Sequence, residues 1–194
     1  MHMIFRTLWH LRFVATRGPR LGFADVSRSH FRVWPTDLDM LGHMNNGKYL
    51  SIMDVARFDL IKRNGTWELF TRERWYPVVV AQMITYRKSL NPWKKFTIES
   101  CILGFDDQAV YLEQRFTRPA GPGSVSPGSP EIYARAIVRA RILRCAGGVV
   151  SVSELIEKTG ADPTELQLPE DIRAWGHASR LPSTRDEASS DWSA

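Results

Sequence analysis

The chain has 194 residues, of which 43% are hydrophobic, and a formal net charge of +5. This length is enough for one globular domain with extensions and is short for two separate cores. The basic surplus favours acidic partners such as nucleic acid, anionic lipid or a phosphate-bearing small molecule, and charge alone does not choose among them. Cys101 and Cys145 have neither metal-ligand nor Cys-x-x-Cys spacing, so two free thiols are predicted.

The composition at the two ends of the chain predicts segments that extend beyond the globular domain. Residues 1–20 contain four arginines and no acidic residue, and their apolar residues recur at helical spacing. This pattern suits a basic helix in peripheral contact with a membrane, and it also suits a helix docked on its own domain. No apolar run reaches the roughly 18 to 20 residues that cross a bilayer, and no cleavable signal is recognisable, so we expect a cytoplasmic location. Residues 183–194 are small and polar, which predicts a disordered tail.

Between these ends the sequence predicts a strand, a long helix and four further strands. Residues 30–34 form the first strand, which Pro35 ends. The helix begins at Asn46 and ends at Asn64 and Gly65. The later strands are apolar or alternate apolar with polar residues, and they cover residues 77–90, 95–103, 109–117 and 132–144. The first of these is apolar on both faces at its start, which predicts a central position in the sheet.

Antiparallel strands with a single helix between the first two predict an α+β domain whose sheet wraps one buried helix. Ser151 and Glu154 form a capping box for a short helix through Lys158, and Asp162 with Pro163 begins another short turn of helix. The predicted organisation is a basic extension, the α+β domain, a helical C-terminal extension and the tail, over residues 1–27, 28–147, 148–182 and 183–194.

A dense polar cluster precedes the long helix, and its members are Asp37, Asp39, His43, Asn45 and Asn46. Asp39 lies just before the helix N-terminus, where unpaired backbone N–H groups can polarise a carbonyl oxygen. A carboxylate at such a place can act as a nucleophile or as a general base on water. His43 could orient a substrate or share proton transfer. The cluster therefore contains what acyl transfer requires.

Helix capping is the competing explanation, because Asp and Asn are common N-cap residues. Asp37 is assigned mainly to capping, and the side chains of Asn45 and Asn46 either cap the helix or bond to an acyl carbonyl. Asp54, within the helix, is expected to pair with an arginine such as Arg57, and the alternative is a catalytic carboxylate on a helix that faces a partner subunit. The sequence contains no phosphate-binding loop, metal-binding motif or Gly-x-Ser-x-Gly elbow, and its arginines lack the aromatic residues of an RNA-binding sheet.

The segment DLDMLGHMNNGKYL resembles the signature of hotdog-fold acyl-CoA thioesterases, the 4-hydroxybenzoyl-CoA thioesterase-like superfamily. There a pattern close to D-x-D-x-x-G-H-x-N-N-x-x-Y-L lies between the first strand and the central helix. The resemblance extends over residues 31–144. Two further segments, LGFDDQAVYLEQRF and LPEDIRAWGHAS, are similar to the branch of proteins like thioesterase superfamily member six.

This resemblance implies an α+β hotdog fold, with an antiparallel five-stranded sheet wrapped around one long central helix. It implies hydrolysis of an acyl thioester of coenzyme A or acyl-carrier protein, with Asp39 as nucleophile or general base and His43 in support. The substrate-binding residues that it implies are Asn45, Asn46 and Gly47. No metal and no cofactor are expected, since coenzyme A enters as part of the substrate.

The same resemblance implies a homodimer or homotetramer with the active site at the dimer interface, and no nucleic-acid partner. The alternative is a noncatalytic acyl-thioester or lipid binder, held at a membrane through residues 1–20. A hotdog dehydratase would need a histidine and an acid poised for β-elimination, and the spacing of His43 and Asp39 fits that geometry less well.

Overall fold

One long helix lies against the inner face of a five-stranded antiparallel sheet. The structure is a computed structural model that describes residue 5 and residues 18–121, 128–182 and 186–187. A 3-10 turn at Pro35–Asp37 separates the first strand from the long helix. The regular elements are β1 (Ser27–Arg32), α1 (Asn46–Arg63), α2 (Thr66–Glu73), β2 (Trp75–Tyr86), β3 (Lys95–Phe105), β4 (Val110–Arg118), β5 (Glu131–Arg144), α3 (Val152–Thr159) and α4 (Glu170–Ala178).

The core forms between α1 and the inner face of the sheet, whose strand order is β1-β3-β4-β5-β2. Along β3 the predicted alternation is confirmed, because Phe96, Ile98, Ser100 and Ile102 are buried while the residues that alternate with them are partly exposed. α1 turns one apolar stripe towards the strands, formed by Tyr49, Ile52, Met53, Val55, Ala56 and Leu60. The predicted α+β architecture, with five antiparallel strands around one helix, is therefore confirmed.

The prediction that residues 77–90 form a central strand is wrong. β2 ends at Tyr86 and lies at the edge of the sheet, where it pairs with β5 and with no other described strand. Its apolar side chains suggested burial, yet many are exposed in the single chain, among them Tyr76, Val79, Val80 and Met83. A long apolar edge strand offers unpaired backbone groups to another chain. β2 is thus a candidate interface.

β1 starts at Ser27 and ends at Arg32, so it begins earlier and ends earlier than predicted. Ser27 and Ser29 are fully buried, and the Ser27 hydroxyl donates to the Asp59 carboxylate of α1 at 2.6 Å. Serines that face a core give no apolar signal, so the sequence pattern misses the start of this strand. The pattern also gives no prediction for α2.

Several expectations concern the parts of the chain outside the main domain. The predicted basic helix of residues 1–20 and the tail fall almost entirely outside the described residues. Within the described part, no helix is both long and apolar enough to cross a membrane. Cys101 and Cys145 are both free, as predicted.

The C-terminal extension covers the outer face of the sheet. α3 begins at the predicted Ser151 cap, residues 163–165 form a turn, and α4 follows. Ile172 of α4 packs in a small cluster with Tyr111, whose side chain leaves β4 on the face opposite α1. Gly176 permits this close approach, because a Cβ there would lie 2.7 Å from Cζ of Tyr111.

A buried charge network fixes this end of the chain. Asp106, in the β3–β4 turn, accepts hydrogen bonds from the Tyr111 hydroxyl at 2.7 Å and from Arg139 and Arg180 at 3.1 Å. Burial acts to raise the pKa of Asp106, but hydrogen bonds from Tyr111 and the Gln108 N–H, together with the Arg139 charge, outweigh it and lower the pKa to about 2. The carboxylate is therefore ionised at neutral pH and stabilises the fold.

Asp106→Asn is expected to lower the free energy of unfolding at pH 7 by about 2–4 kcal/mol, because it leaves buried arginine charge without its carboxylate. A folded-state pKa lowered to about 2 means that this contribution is present above the unfolded value of 3.8 and is lost as the pH falls through about 2. Urea unfolding at pH 7 and pH 2 measures the difference, which should shrink at the lower pH.

Asp107→Asn is the matched control for Asp106, because Asp107 also pairs with Arg180 but its side chain is 57% exposed. It should have a much smaller effect, since solvent screens exposed pairs. Equal losses for the two variants would contradict the assignment of Asp106 as the stabilising carboxylate.

Candidate active site

The predicted polar cluster lies on a short closed loop between β1 and α1. Leu38 and Met44 pair as an antiparallel bridge, and the Asp39 N–H donates to the His43 carbonyl at 2.8 Å. The Met44 N–H donates to the Leu90 carbonyl at 2.9 Å, which fastens the loop to the chain that follows β2. The loop is therefore held in place at Leu38 and Met44, and the residues between them face solvent.

The two carboxylate oxygens of Asp39 have different surroundings. Oδ1 accepts hydrogen bonds from the backbone N–H groups of Leu41 at 2.9 Å and His43 at 3.3 Å. Oδ2 accepts no hydrogen bond from any described residue, and the side chain is only half-buried. One oxygen is thus held by the loop, while the other is free to react or to take a proton.

The start of α1 is fixed by Asn45, whose Oδ1 accepts the Gly47 N–H at 2.9 Å. Asp37 caps the preceding 3-10 turn rather than α1: its Oδ2 accepts the Trp34 N–H at 3.0 Å, and its carbonyl accepts the Asn45 N–H at 2.8 Å. Of the first helical N–H groups, that of Gly47 is used by the cap. That of Asn46 has no acceptor among the described residues, so it can polarise a bound carbonyl.

His43 is exposed, and its ring makes no hydrogen bond to any described residue. His43 is joined to Asp39 only through its own main chain: its N–H donates to Asp39 Oδ1, and its carbonyl accepts the Asp39 N–H. The imidazole is therefore at the loop surface, free to meet a ligand. No described grouping of three or more His, Cys, Asp or Glu residues could hold a metal ion.

A cavity of about 140 Å³ lies elsewhere, between the second half of α1, α2 and the inner face of the sheet. Asp54 and Arg57 are its charged lining residues, and the other side chains that line it are almost all apolar. The predicted Asp54–Arg57 pair is confirmed. Asp39 does not line this cavity. Asp54 is eight residues from the start of α1, which corresponds to about 12 Å along the helix.

β2 runs from the cavity to the polar loop. Near its start, Pro77 and Val79 line the cavity. At its end, the Tyr86 ring meets the Tyr49 ring of α1 at 5.0 Å between centroids, and the following chain holds the loop through Leu90. Within a single chain, the loop that carries Asp39 and the apolar cavity therefore lie near opposite ends of the exposed edge strand β2.

These features agree with comparisons to known proteins. The family model of the thioesterase-like superfamily matches residues 33–176. The chain belongs to this superfamily. Protein THEM6 of Xenopus laevis is 43% identical over 84 residues, which make up 43% of this chain and 41% of that protein. The matched part of the chain thus spans about two fifths of this relative, and the predicted similarity to the member six branch is confirmed.

Two solved structures show the fold of this superfamily member. The probable thioesterase YbaW of Escherichia coli has a TM-score of 0.59 at 23% identity and covers 68% of this chain and 94% of its own. A 4-hydroxybenzoyl CoA thioesterase mutant complexed with 4-hydroxybenzoyl CoA has a TM-score of 0.59 at 17% identity and covers 70% and 99%. The predicted hotdog fold is confirmed, and family and fold together support thioester hydrolysis as the class of reaction.

Proposed function

We propose that the protein hydrolyses acyl thioesters of coenzyme A at the loop that carries Asp39. The observation that carries this proposal is the state of the Asp39 carboxylate, which is held through Oδ1 and open at Oδ2. The free N–H of Asn46 belongs to the first residue of α1, which follows the loop. A thioester carbonyl oxygen bound there would accept this N–H, and the helix N-terminus would stabilise the negative charge that develops on the oxygen.

Two routes are open to the carboxylate. As a general base, Asp39 takes a proton from water while the water oxygen bonds to the carbonyl carbon, and the C–S bond then breaks as the thiolate leaves. As a nucleophile, Asp39 itself bonds to that carbon and displaces the thiolate, and water hydrolyses the resulting anhydride. Both routes yield a free acid and a protonated thiol. His43, exposed on the same loop, would orient the water or the departing thiol.

Coenzyme A is the proposed carrier for two reasons. A structural neighbour of the same fold is a 4-hydroxybenzoyl CoA thioesterase. The chain also carries a net charge of +5, which attracts the phosphates of the nucleotide. The side chains of Asn45 and Asn46 are exposed beside the loop and would contact the thioester.

The proposed working unit is a homodimer joined through β2. Antiparallel pairing of two β2 edges about a two-fold axis places the end of one strand beside the start of the other. The end of β2 holds the Asp39 loop, and its start lines the cavity. Pairing therefore brings the reactive loop of one copy towards the cavity of its partner, which would receive the acyl group. A single chain contains both the Asp39 loop and the cavity, but it does not bring them next to each other.

A panel of thioesters tests the proposal. Purified protein is given coenzyme A esters of short, medium and long aliphatic acids and of aromatic acids, with an acyl-carrier protein thioester as a separate arm, and free thiol is measured. We expect thiol release from at least one coenzyme A ester at a rate that saturates with substrate. Saturable binding without turnover would instead indicate the noncatalytic acyl-thioester binder, and turnover of the carrier-protein thioester alone would replace coenzyme A as the carrier.

A further inference from the structure

The cavity contains a guanidinium that is only partly satisfied. Arg57 Nη1 donates to Oε1 of Gln114 at 2.8 Å, and Nη2 donates to Asp54. A guanidinium has five N–H donors. Three of them have no acceptor among the described residues, although the side chain is only 12% exposed. A ligand that fills the cavity and covers these donors would have to bring an acceptor, because buried donors without acceptors are costly.

The buried side chain of Gln114 fixes the position of this guanidinium. The Gln114 side chain is fully buried, and its Nε2 donates to the Ser100 hydroxyl at 2.9 Å and to the Met53 carbonyl at 3.1 Å. These bonds set which way the amide points, so its oxygen faces Arg57. Burial lowers the pKa of Arg57 to about 10, which still leaves it protonated near neutral pH. The cavity thus holds an oriented cation.

The neighbouring Asp54 carboxylate determines which type of ligand oxygen binds best beside Arg57. Asp54 is 59% exposed, and it uses Oδ1 for Arg57 while Oδ2 bonds no described residue. The pair is neutral overall, so it gives little attraction to a second anion. A hydroxyl suits both partners, because it can accept from Arg57 and donate to Asp54. A carbonyl oxygen satisfies only the arginine.

The volume of the cavity limits the acyl group that would reach this pair. An apolar cavity of about 150 Å³ in another protein holds a benzene molecule, and the cavity here measures about 140 Å³. Phe58, Ile102 and Leu112 are among its apolar walls. A group of about six carbon atoms therefore fills it, and a longer unbranched chain would extend outside it.

We propose that Arg57 and Asp54 select acyl groups of about six carbons whose far end carries a hydroxyl. The inference rests on the proposed thioesterase function and adds the chemical class of the acyl group and the residues that recognise it. An acyl group without the hydroxyl would fill the cavity while leaving buried donors unpaired, which is the arrangement that discriminates most strongly between similar substrates.

The test compares hexanoyl-CoA with 6-hydroxyhexanoyl-CoA, which have the same chain length. In the wild-type protein we expect kcat/KM for the hydroxyl-bearing ester to be higher by about tenfold or more, as a hydrogen bond to a charged group implies. Arg57→Met keeps much of the side-chain volume and removes the donors, so the ratio of kcat/KM for the two esters should fall to about one, chiefly through a higher KM for the hydroxyl ester.

Arg63→Met is the matched control. Arg63 lies on the same helix, is 11% exposed and pairs with Asp59, but it does not line the cavity. It should keep the wild-type preference. Equal wild-type rates for the two esters would overturn the inference and leave the proposed function intact, even if Arg57→Met failed to fold. Hydrolysis of neither ester, nor of any other in the panel, would overturn the proposed function itself.

Discussion

Asp39→Asn is expected to lower kcat for thioester hydrolysis by about 10²- to 10⁴-fold while leaving the fold intact. Asparagine keeps an oxygen that can accept the N–H groups of Leu41 and His43, which Oδ1 of Asp39 accepts in the structure. The loop geometry should therefore survive. What disappears is the negative charge and the open Oδ2, which are the features that either catalytic route requires.

The measurement pairs steady-state kinetics with thermal unfolding, so that a lost rate is separated from a lost fold. Asp107→Asn makes the same chemical change at an exposed carboxylate in the β3–β4 turn, far along the chain from the loop, and should leave the rate unchanged. A single turnover in ¹⁸O-labelled water then tests the nucleophilic route, because label enters the Asp39 carboxylate only if an anhydride forms and water attacks its Asp39 carbon. An intact rate in Asp39→Asn would remove Asp39 from the mechanism.

The start of α1 and the loop before it could be predicted because their signals are local. Asn45 caps the helix within two residues of its own position, and Asn64 ends it. The Asp54–Arg57 pair is equally local, at a spacing of three residues on one helix. Periodicity and capping chemistry are properties of short segments, so a single sequence is enough to reveal them.

The edge position of β2 and the cavity could not be predicted, because both depend on distant partners. An apolar strand has the same sequence pattern whether neighbouring strands of its own chain bury it or a second copy of the chain does. Arg57 is separated by 57 residues from Gln114, which orients it, and nothing in the local pattern links the two. Within the candidate site, the sequence therefore predicted the loop that carries Asp39 and missed the cavity that would bind the acyl group.

Val80→Asp is expected to convert the proposed dimer into a monomer and to reduce hydrolysis by at least about tenfold. Val80 lies near the middle of β2 and is 42% exposed, so the change should cost the single chain little. Near a two-fold axis the two new carboxylates would face each other, and like charges across paired strands are destabilising. Light scattering should show the mass fall from about twice 22.2 kDa to 22.2 kDa.

Val149→Asp is the matched control, since Val149 is also a valine of 42% exposure but lies after β5, away from the β2 edge. It should remain dimeric and active.

Subunit mixing then tests whether the site is shared. Asp39→Asn and Ala140→Phe, which fills the cavity, should each be inactive alone. Mixed in equal amounts they should regain about a quarter of wild-type activity, because half of the dimers are mixed and each has one intact site. Mixing without recovery would mean that loop and cavity act within one chain, and the edge strand would then have another role.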